Sequence, residues 1–287
     1  MTDPKTFTLE APGAVITYDV RQPESATDEP PLLLIGSPMD ASGFVSLAAR
    51  FPDRTIVTYD PRGTGRSTKS DPVSESTPDQ HAEDLSKVIE AVGGQVDIFA
   101  SSGGAVNALA LVAKHPEQVR TLVAHEPPAC QVLVDRENAL AATTNIHETY
   151  LRDGLGPAMA KFISLVSIQG EIPAGFGDQP VDPAMFGLPT EDDGTRDDPL
   201  VGQNIVTCTH YEHDFDALRD ATTNVVLAVG IEGEGTLAYR GGEGIAERLG
   251  TKPVIFPSHH AGFLGGEYGQ QGDPDAFAAK LRAVLAG

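Results

Sequence analysis

The chain of 287 residues has no tryptophan, four methionines and two cysteines. Cys130 and Cys208 belong to no C-x-x-C pair or His/Cys cluster, so a thiol-bound metal and a dithiol redox motif have no sequence support. Both fall in one segment, which leaves a disulfide between them open; two reduced thiols in a cytosol are the simpler expectation. Positive charge is scarce: 20 Lys and Arg stand against 41 Asp and Glu, for a formal net charge of −21. That argues against a nucleic-acid face and an anionic membrane surface, and it disfavours a polyanionic substrate. Acidity of this degree serves solubility. No apolar run approaches the ~20 residues that span a bilayer. The opening MTDPKTFTLEAPG has neither the basic nor the apolar region of a secretory leader. The expectation is a cytoplasmic globular protein with a small-molecule partner, no nucleic acid and no membrane. Gly and Pro are plentiful, at 30 and 22, but form no repeat or low-complexity block.

What is present is a strand, a sharp turn and a helix at VDIFASSGG, 96–104, followed by AVNALALVAKH. In register, Ala100-Ser101-Ser102-Gly103-Gly104 is a G-x-S-x-G elbow with Ala in place of the first Gly. A serine at the tip of such a strained turn holds its hydroxyl clear of the backbone. Only small neighbours let strand and helix come so close. The helix N-terminus behind it offers free N–H groups to a developing oxyanion. Ser101 as nucleophile is the wrong register, because Phe99 would then fill a position that needs a small residue.

Near the C-terminus, PVIFPSHHAGF, 253–263, reads as a short strand running into a turn with His259 and His260. A histidine past the last strand can reach a serine on a mid-sheet elbow, since both lie at the C-terminal edge of the sheet. His260 is favoured by the small, flexible residues that follow it. A third segment, TIVTYDPRGTGRS, 55–67, is a strand ending in Asp60, with Pro61-Arg62-Gly63-x-Gly65-x-Ser67 behind it.

These three motifs, in this order and spacing, resemble the α/β-hydrolase superfamily over essentially the whole chain. The resemblance implies that Asp60 and Arg62 are scaffold, pinning the turn beside the elbow. It also implies an oxyanion hole from the backbone N–H groups of Ser37 and Gly103. Ser37 lies in Gly36-Ser37-Pro38-Met39, where the family commonly has H-G-x-P; here Ile35 replaces that His. The resemblance further implies a triad acid just past NVVLAVG, 224–230, where an Asp is usual. This chain has Ile231-Glu232-Gly233-Glu234-Gly235 instead, so Glu232 or Glu234 could serve. Some members take the acid from the end of the strand after the elbow helix, and here that strand ends in His125-Glu126-Pro127-Pro128. Glu126, pinned by a rigid Pro-Pro, is the favoured acid. The Glu232 and Glu234 alternatives stay open.

Eight apolar segments, TFTLE, AVITYDVRQ, PLLLI, TIVTYD, VDIFA, TLVAH, NVVLAVG and PVIFP, alternate with helical patterns after an antiparallel start at Pro12-Gly13. They predict an α/β fold: a mostly parallel eight-stranded sheet with helices on both faces. Ala41–Arg50 follows the 36–39 loop as a helix. HAEDLSKVIEAVGG has helical periodicity, TLAYRGGEGIAERLG is a helix weakened by Gly241-Gly242, and DPDAFAAKLRAVLAG is a helix capped by Asp273 or Asp275. Residues 1–128 and 223–287 form the core domain. Between them, 129–222 has no strand pattern; two helical stretches, an acidic Gly/Pro-rich loop and a helical NIVTCTHYEHDFDAL follow one another. In the family an insertion here is a helical cap over the site. Met39, Met159, Phe162 and Phe186 are the residues expected to bind substrate, with Phe176, Met185 and Tyr211 as further candidates; most are expected to be core of the cap. His210 and His213 share a helix face in this reading, but no third ligand accompanies them, so no metal and no cofactor are expected.

Together these features predict a cofactor-independent serine hydrolase of a small or medium apolar ester or lactone. Ser102 attacks a carbonyl, His260 takes its proton, and Glu126 orients the imidazole. A carbon–carbon bond hydrolase or a perhydrolase/haloperoxidase-type activity would use the same residues. A non-catalytic ligand-binding protein on the same scaffold is the alternative from another class.

Overall fold

A computed structural model describes residues 3–287. The Pro12-Gly13 turn joins an antiparallel pair, β1 (Lys5–Ala11) and β2 (Ala14–Arg21), with Gly13 at φ 71. There follow β3 (Leu32–Ile35), α1 (Val45–Ala48), β4 (Ile56–Tyr59), β5 (Thr68–Lys69), α2 (Pro78–Ala91), β6 (Val96–Ser101), α3 (Gly103–Lys114) and β7 (Val119–His125). The chain then makes α4 (Arg136–Asp153), α5 (Leu155–Val166), α6 (Ile205–Thr209) and α7 (Phe215–Asp220), and returns to β8 (Asn224–Gly230), α8 (Leu237–Arg248), β9 (Val254–Phe256) and α9 (Pro274–Leu285).

The strands form one sheet in the order β1-β2-β4-β3-β6-β7-β8-β9. From β4 to β9 every pairing is parallel. A ninth strand, the two-residue β5, pairs antiparallel with β2; it is too short for any periodicity to announce it. Parallel strands covered on both faces read as unbroken apolar runs, which is why PLLLI shows no alternation. Leu33 and Ile35 enter the core beneath α2, α3 and α8, while Leu32 and Leu34 enter the opposite core with α1 and α9. Buried Asp97 breaks the apolar pattern of β6, and two arginines, Arg54 and Arg120, bind it at 2.7 and 2.6 Å.

Local signals explain most helix boundaries. Thr77 and Gln80 form a reciprocal capping box at α2, with Pro78 at its first position. Of the two aspartates proposed for α9, Asp273 is the cap, accepting from the Ala276 N–H at 3.0 Å. The helix expected over Ala41–Arg50 is shorter, a 3-10 turn at Ala41–Phe44 followed by the single turn of α1. Helix α8 forms despite Gly241-Gly242, because packing outweighs propensity there. A Cβ at Gly241 would sit 2.2 Å from the Pro127 carbonyl oxygen, and one at Gly244 would sit 2.6 Å from Val132. The glycines let α8 lie directly on the segment that leaves β7.

Between β7 and β8, Leu218 of α7 packs into the core beneath α2 and α3, whereas the helices α4, α5 and α6 have a core of their own, including Ile146, Tyr150, Leu165, Val201 and Ile205. Leu237 of α8 joins that core and ties it to the sheet domain. The acidic stretch is loop with two 3-10 turns, Phe176–Asp178 and Pro183–Phe186, and a π-helical turn at Pro199–Asn204 leads into α6. The helix expected through NIVTCTHYEHDFDAL is broken: α6 stops at Thr209, and Asp214 starts α7 by capping the Ala217 N–H. His210 and His213 therefore share no helix face. His210 Nε2 meets Thr143 Oγ1 at 2.9 Å, and His213 packs between the rings of Tyr211 and Phe215. Cys130 and Cys208 are both free and buried, and burial pushes each thiol up to about 12. No helix among the described residues is long and apolar enough to cross a membrane.

Three histidines, His81, His125 and His213, are buried, and burial holds each near 4 instead of 6.5. Between those pH values the unfolded chain takes up protons that the folded chain refuses. Stability is thus fully present above 6.5 and is lost as pH falls toward 4, by up to about 3 kcal/mol per histidine. Neither ring nitrogen of His213 has a hydrogen-bond partner among the described residues. We expect His213→Phe to raise Tm more at pH 5 than at pH 8 in a calorimetric scan; an equal change at both would contradict this account.

Candidate active site

Ser102 joins β6 to α3 at φ 58 and ψ −129. A non-glycine residue is strained there, and the surroundings hold it. Its N–H donates to the His125 carbonyl at the end of β7, 2.9 Å away. Both following glycines are needed for space. A Cβ at Gly103 would lie 2.7 Å from the Ser37 carbonyl oxygen, and one at Gly104 would lie 2.8 Å from that of Ile35. Ala100 is still inside β6, paired with Ile35 and Ala124, and is not among the positive-φ positions. Alanine is therefore tolerated where the elbow pattern has its first glycine. Ser101 ends the strand, buried, with its Oγ 3.2 Å from His125 Nδ1.

The neighbouring strands bring the other groups to the same edge. Glu126 follows β7, at φ 48 and with no exposed surface. Its N–H donates to the Ala228 carbonyl at 2.9 Å, and its Oε1 accepts from the Gly230 N–H at 2.8 Å. The carboxylate is thus fixed across β7 and β8. Its Oε2 lies 2.5 Å from His260 Nδ1. Burial alone would raise this carboxyl; the His260 contact and the Gly230 N–H outweigh it and hold the group at about 2. Gly233 leaves room for it, since a Cβ there would sit 2.9 Å from Glu126 Oε1. Glu232 and Glu234 are exposed and do not contact His260 through any hydrogen bond among the described residues. The two adjacent histidines separate by their partners. His259 Nδ1 accepts from the Ala261 N–H and its Nε2 faces the Gln271 carbonyl, so the loop occupies both nitrogens. His260 is the one turned to Glu126.

The 36–39 loop runs against the elbow, with Ser37 buried and its backbone beside Gly103. Asp60 accepts from the Ala41 N–H at 3.0 Å and the Arg66 N–H at 2.8 Å, which fastens the turn after β4 to the start of that loop's helical segment. Arg62 makes a buried two-pronged pair with Asp84, both bonds 2.7 Å long, joining the turn to α2. Neither Asp60 nor Arg62 lines the cavity described next.

Ser102, Gly103, Ser37 and His260 line a cavity of about 510 Å³ between the sheet edge and the helical insertion. Met39 and Phe162 line it too. Met159 does not; together with Phe176 it packs against the insertion's own core. Phe186 and Met185 are 39% and 79% exposed on a 3-10 turn, and Tyr211 packs against the core beneath α2 and α3. Helical spacing marks an apolar face without saying which side of the insertion it meets. Leu165, Leu200, Ile205, Leu237, Phe263 and Leu264 supply apolar wall that sequence reasoning did not name. Only Phe263-Leu264, directly behind His260, carried a usable positional signal.

With this geometry in place, comparison with known proteins gives a consistent answer. A family model described as the alpha/beta hydrolase fold matches residues 32–165. The chain is 28% identical over 271 residues to the uncharacterized hydrolase YraK of Bacillus subtilis, covering 89% of each chain. Among solved structures, a thermophilic esterase from Thermogutta terrifontis superposes with TM-score 0.67 at 17% identity, over 99% of this chain and 98% of that one. The enol-lactonase from Burkholderia xenovorans LB400 superposes with TM-score 0.65 at 15% identity, over 98% of this chain and 100% of that one. The fold is that of the α/β hydrolases. Residues 32–165 carry the match to the family model, and the likeness in fold extends over nearly the whole chain.

The close approach at the elbow can be tested. Adding one methyl at Gly104 must displace the backbone of Ile35 and Gly36, which cannot swing aside as a side chain would. Gly104→Ala should destabilise the protein by about 1–3 kcal/mol in urea unfolding, and a change below 0.5 kcal/mol would show the contact to be loose.

Proposed function

We propose that this protein is a cofactor-independent carboxylesterase or lactonase that works through an acyl-enzyme on Ser102. The observation that carries the reading is the 2.5 Å contact between His260 Nδ1 and Glu126 Oε2, at the edge of the cavity that Ser102 and His260 both line. With Nδ1 donating to an ionised carboxylate, Nε2 is left as the free base. It takes the Ser102 proton as the hydroxyl attacks the ester carbonyl. The Glu126 charge stabilises the resulting imidazolium. The Ser37 and Gly103 N–H groups receive the developing oxyanion, each contributing ~3 kcal/mol of transition-state stabilisation. The imidazolium protonates the departing alkoxide, and the same nitrogen then activates water against the acyl-enzyme. The insertion serves as a cap over this chemistry. Its apolar wall suits an apolar acyl or alcohol portion and excludes water from the reacting atoms. The esterase and enol-lactonase folds that superpose on the chain support the same class of substrate.

Intact-mass spectrometry after exposure to a fluorophosphonate tests the nucleophile. We expect one adduct on the wild type and none on Ser102→Ala. A wild type that stays unlabelled and turns over neither esters nor lactones would leave the non-catalytic binding reading instead. Glu126→Gln removes the fixed charge and should lower kcat for an apolar ester by about 10³–10⁴-fold, whereas Glu232→Gln should cost far less. Equal, small losses in the two variants would overturn the choice of acid.

A further inference from the structure

We infer that Glu232 is a charge selector at the mouth of the cavity, admitting substrates that are uncharged in both halves and turning away those that carry a carboxylate. The words ester and lactone here rest on the proposed function; the charge selection itself rests on the make-up of the cavity. Among the described residues lining it there is no lysine and no arginine, and Glu232 is the single carboxylate. Glu232 is exposed although it lines the cavity, which places it where the cavity meets solvent. Its backbone is held there: the Glu232 N–H donates to the Ser258 carbonyl at 3.0 Å, in the 3-10 turn Ile231–Gly233 that follows β8.

A substrate carboxylate entering this space finds no counter-charge. His260 is matched by Glu126 at 2.5 Å. His259 has both ring nitrogens engaged within its own loop. Arg240, on the adjoining helix α8, is bound to Asp135 and to the Gly170 carbonyl. An unpaired carboxylate would give up water for apolar wall, at high cost. It would also approach a fixed negative charge where low-dielectric walls concentrate the field. A neutral ester of the same length meets neither penalty. The overall formal charge of −21 acts in the same direction on approach, but salt screens that distant field more than it screens a charge at the rim.

The test compares dimethyl suberate with monomethyl suberate, equal in length and differing by one charge. Binding is measured by titration calorimetry on Ser102→Ala, where hydrolysis cannot interfere, with Glu232 intact or replaced as Glu232→Gln or Glu232→Lys. We expect the diester to bind in all three. The ratio of Kd for the monoester to Kd for the diester should fall roughly tenfold with Glu232→Gln and further with Glu232→Lys. A ratio unchanged within twofold across the three proteins, or no binding of the diester to any of them, would overturn the inference. Turnover of dimethyl suberate by the protein with Ser102 intact is scored separately. Its absence would sink the hydrolase reading while the ratio still decides the role of Glu232.

Discussion

Glu126 carries a full charge with none of its surface in water. Such a charge is tolerated only where hydrogen bonds replace its hydration, and the surrounding elements are arranged to supply them. β8 contributes the Gly230 N–H, the loop after β9 contributes His260, and Gly233 stays small enough to leave the carboxylate its space. Helix α8 gives up side chains at Gly241 and Gly244 so that it can press on the Pro127–Val132 segment directly behind. Removing one partner would strand a charge, so the parts stand or fall together. The oxygen toward Gly230 fixes the carboxylate, and the oxygen toward His260 fixes the ring.

The same edge explains why Ser102 sits where it does. The Ser102 N–H is received by the carbonyl of His125, the residue before Glu126. Ser102 and Glu126 are therefore joined through one peptide at the end of β7, and the strained backbone at both is stabilised by neighbours in a sheet buried on both faces. Asp60 and the Arg62–Asp84 pair extend that rigidity to the loop carrying Ser37.

The sheet was legible because its strands are apolar runs punctuated by Gly, Pro and Asp, and because each motif sits where a strand stops. β5 was not legible, since two residues have no period. Gly241-Gly242 misleads for a different reason: propensity counts the lost helix preference, while the reason for the glycines lies in another segment, at Pro127. Glu126, Glu232 and Glu234 were all candidates from the sequence, as each follows a parallel strand. What separates them is the direction of a side chain across two strands, which no linear pattern encodes. The cavity wall was the least legible part. Met159 and Phe162 lie on the same short helix three residues apart and both pack against the insertion's core, yet only Phe162 also meets the cavity. That difference depends on how the insertion rests on the sheet.

Placing the carboxylate after β7 has a consequence for how such a protein can change. The loop that follows β8, from Ile231 to Gly235, keeps two structural obligations, the space at Gly233 and the positive φ of 81 at Gly235. Its other positions touch solvent or the cavity without holding the histidine. On the proposed function, substitutions there redraw the range of molecules admitted while Ser102, His260 and Glu126 keep their geometry, so new substrate preferences lie within single mutational steps. In a protein whose acid occupied that loop, most of the same steps would first pass through inactivity.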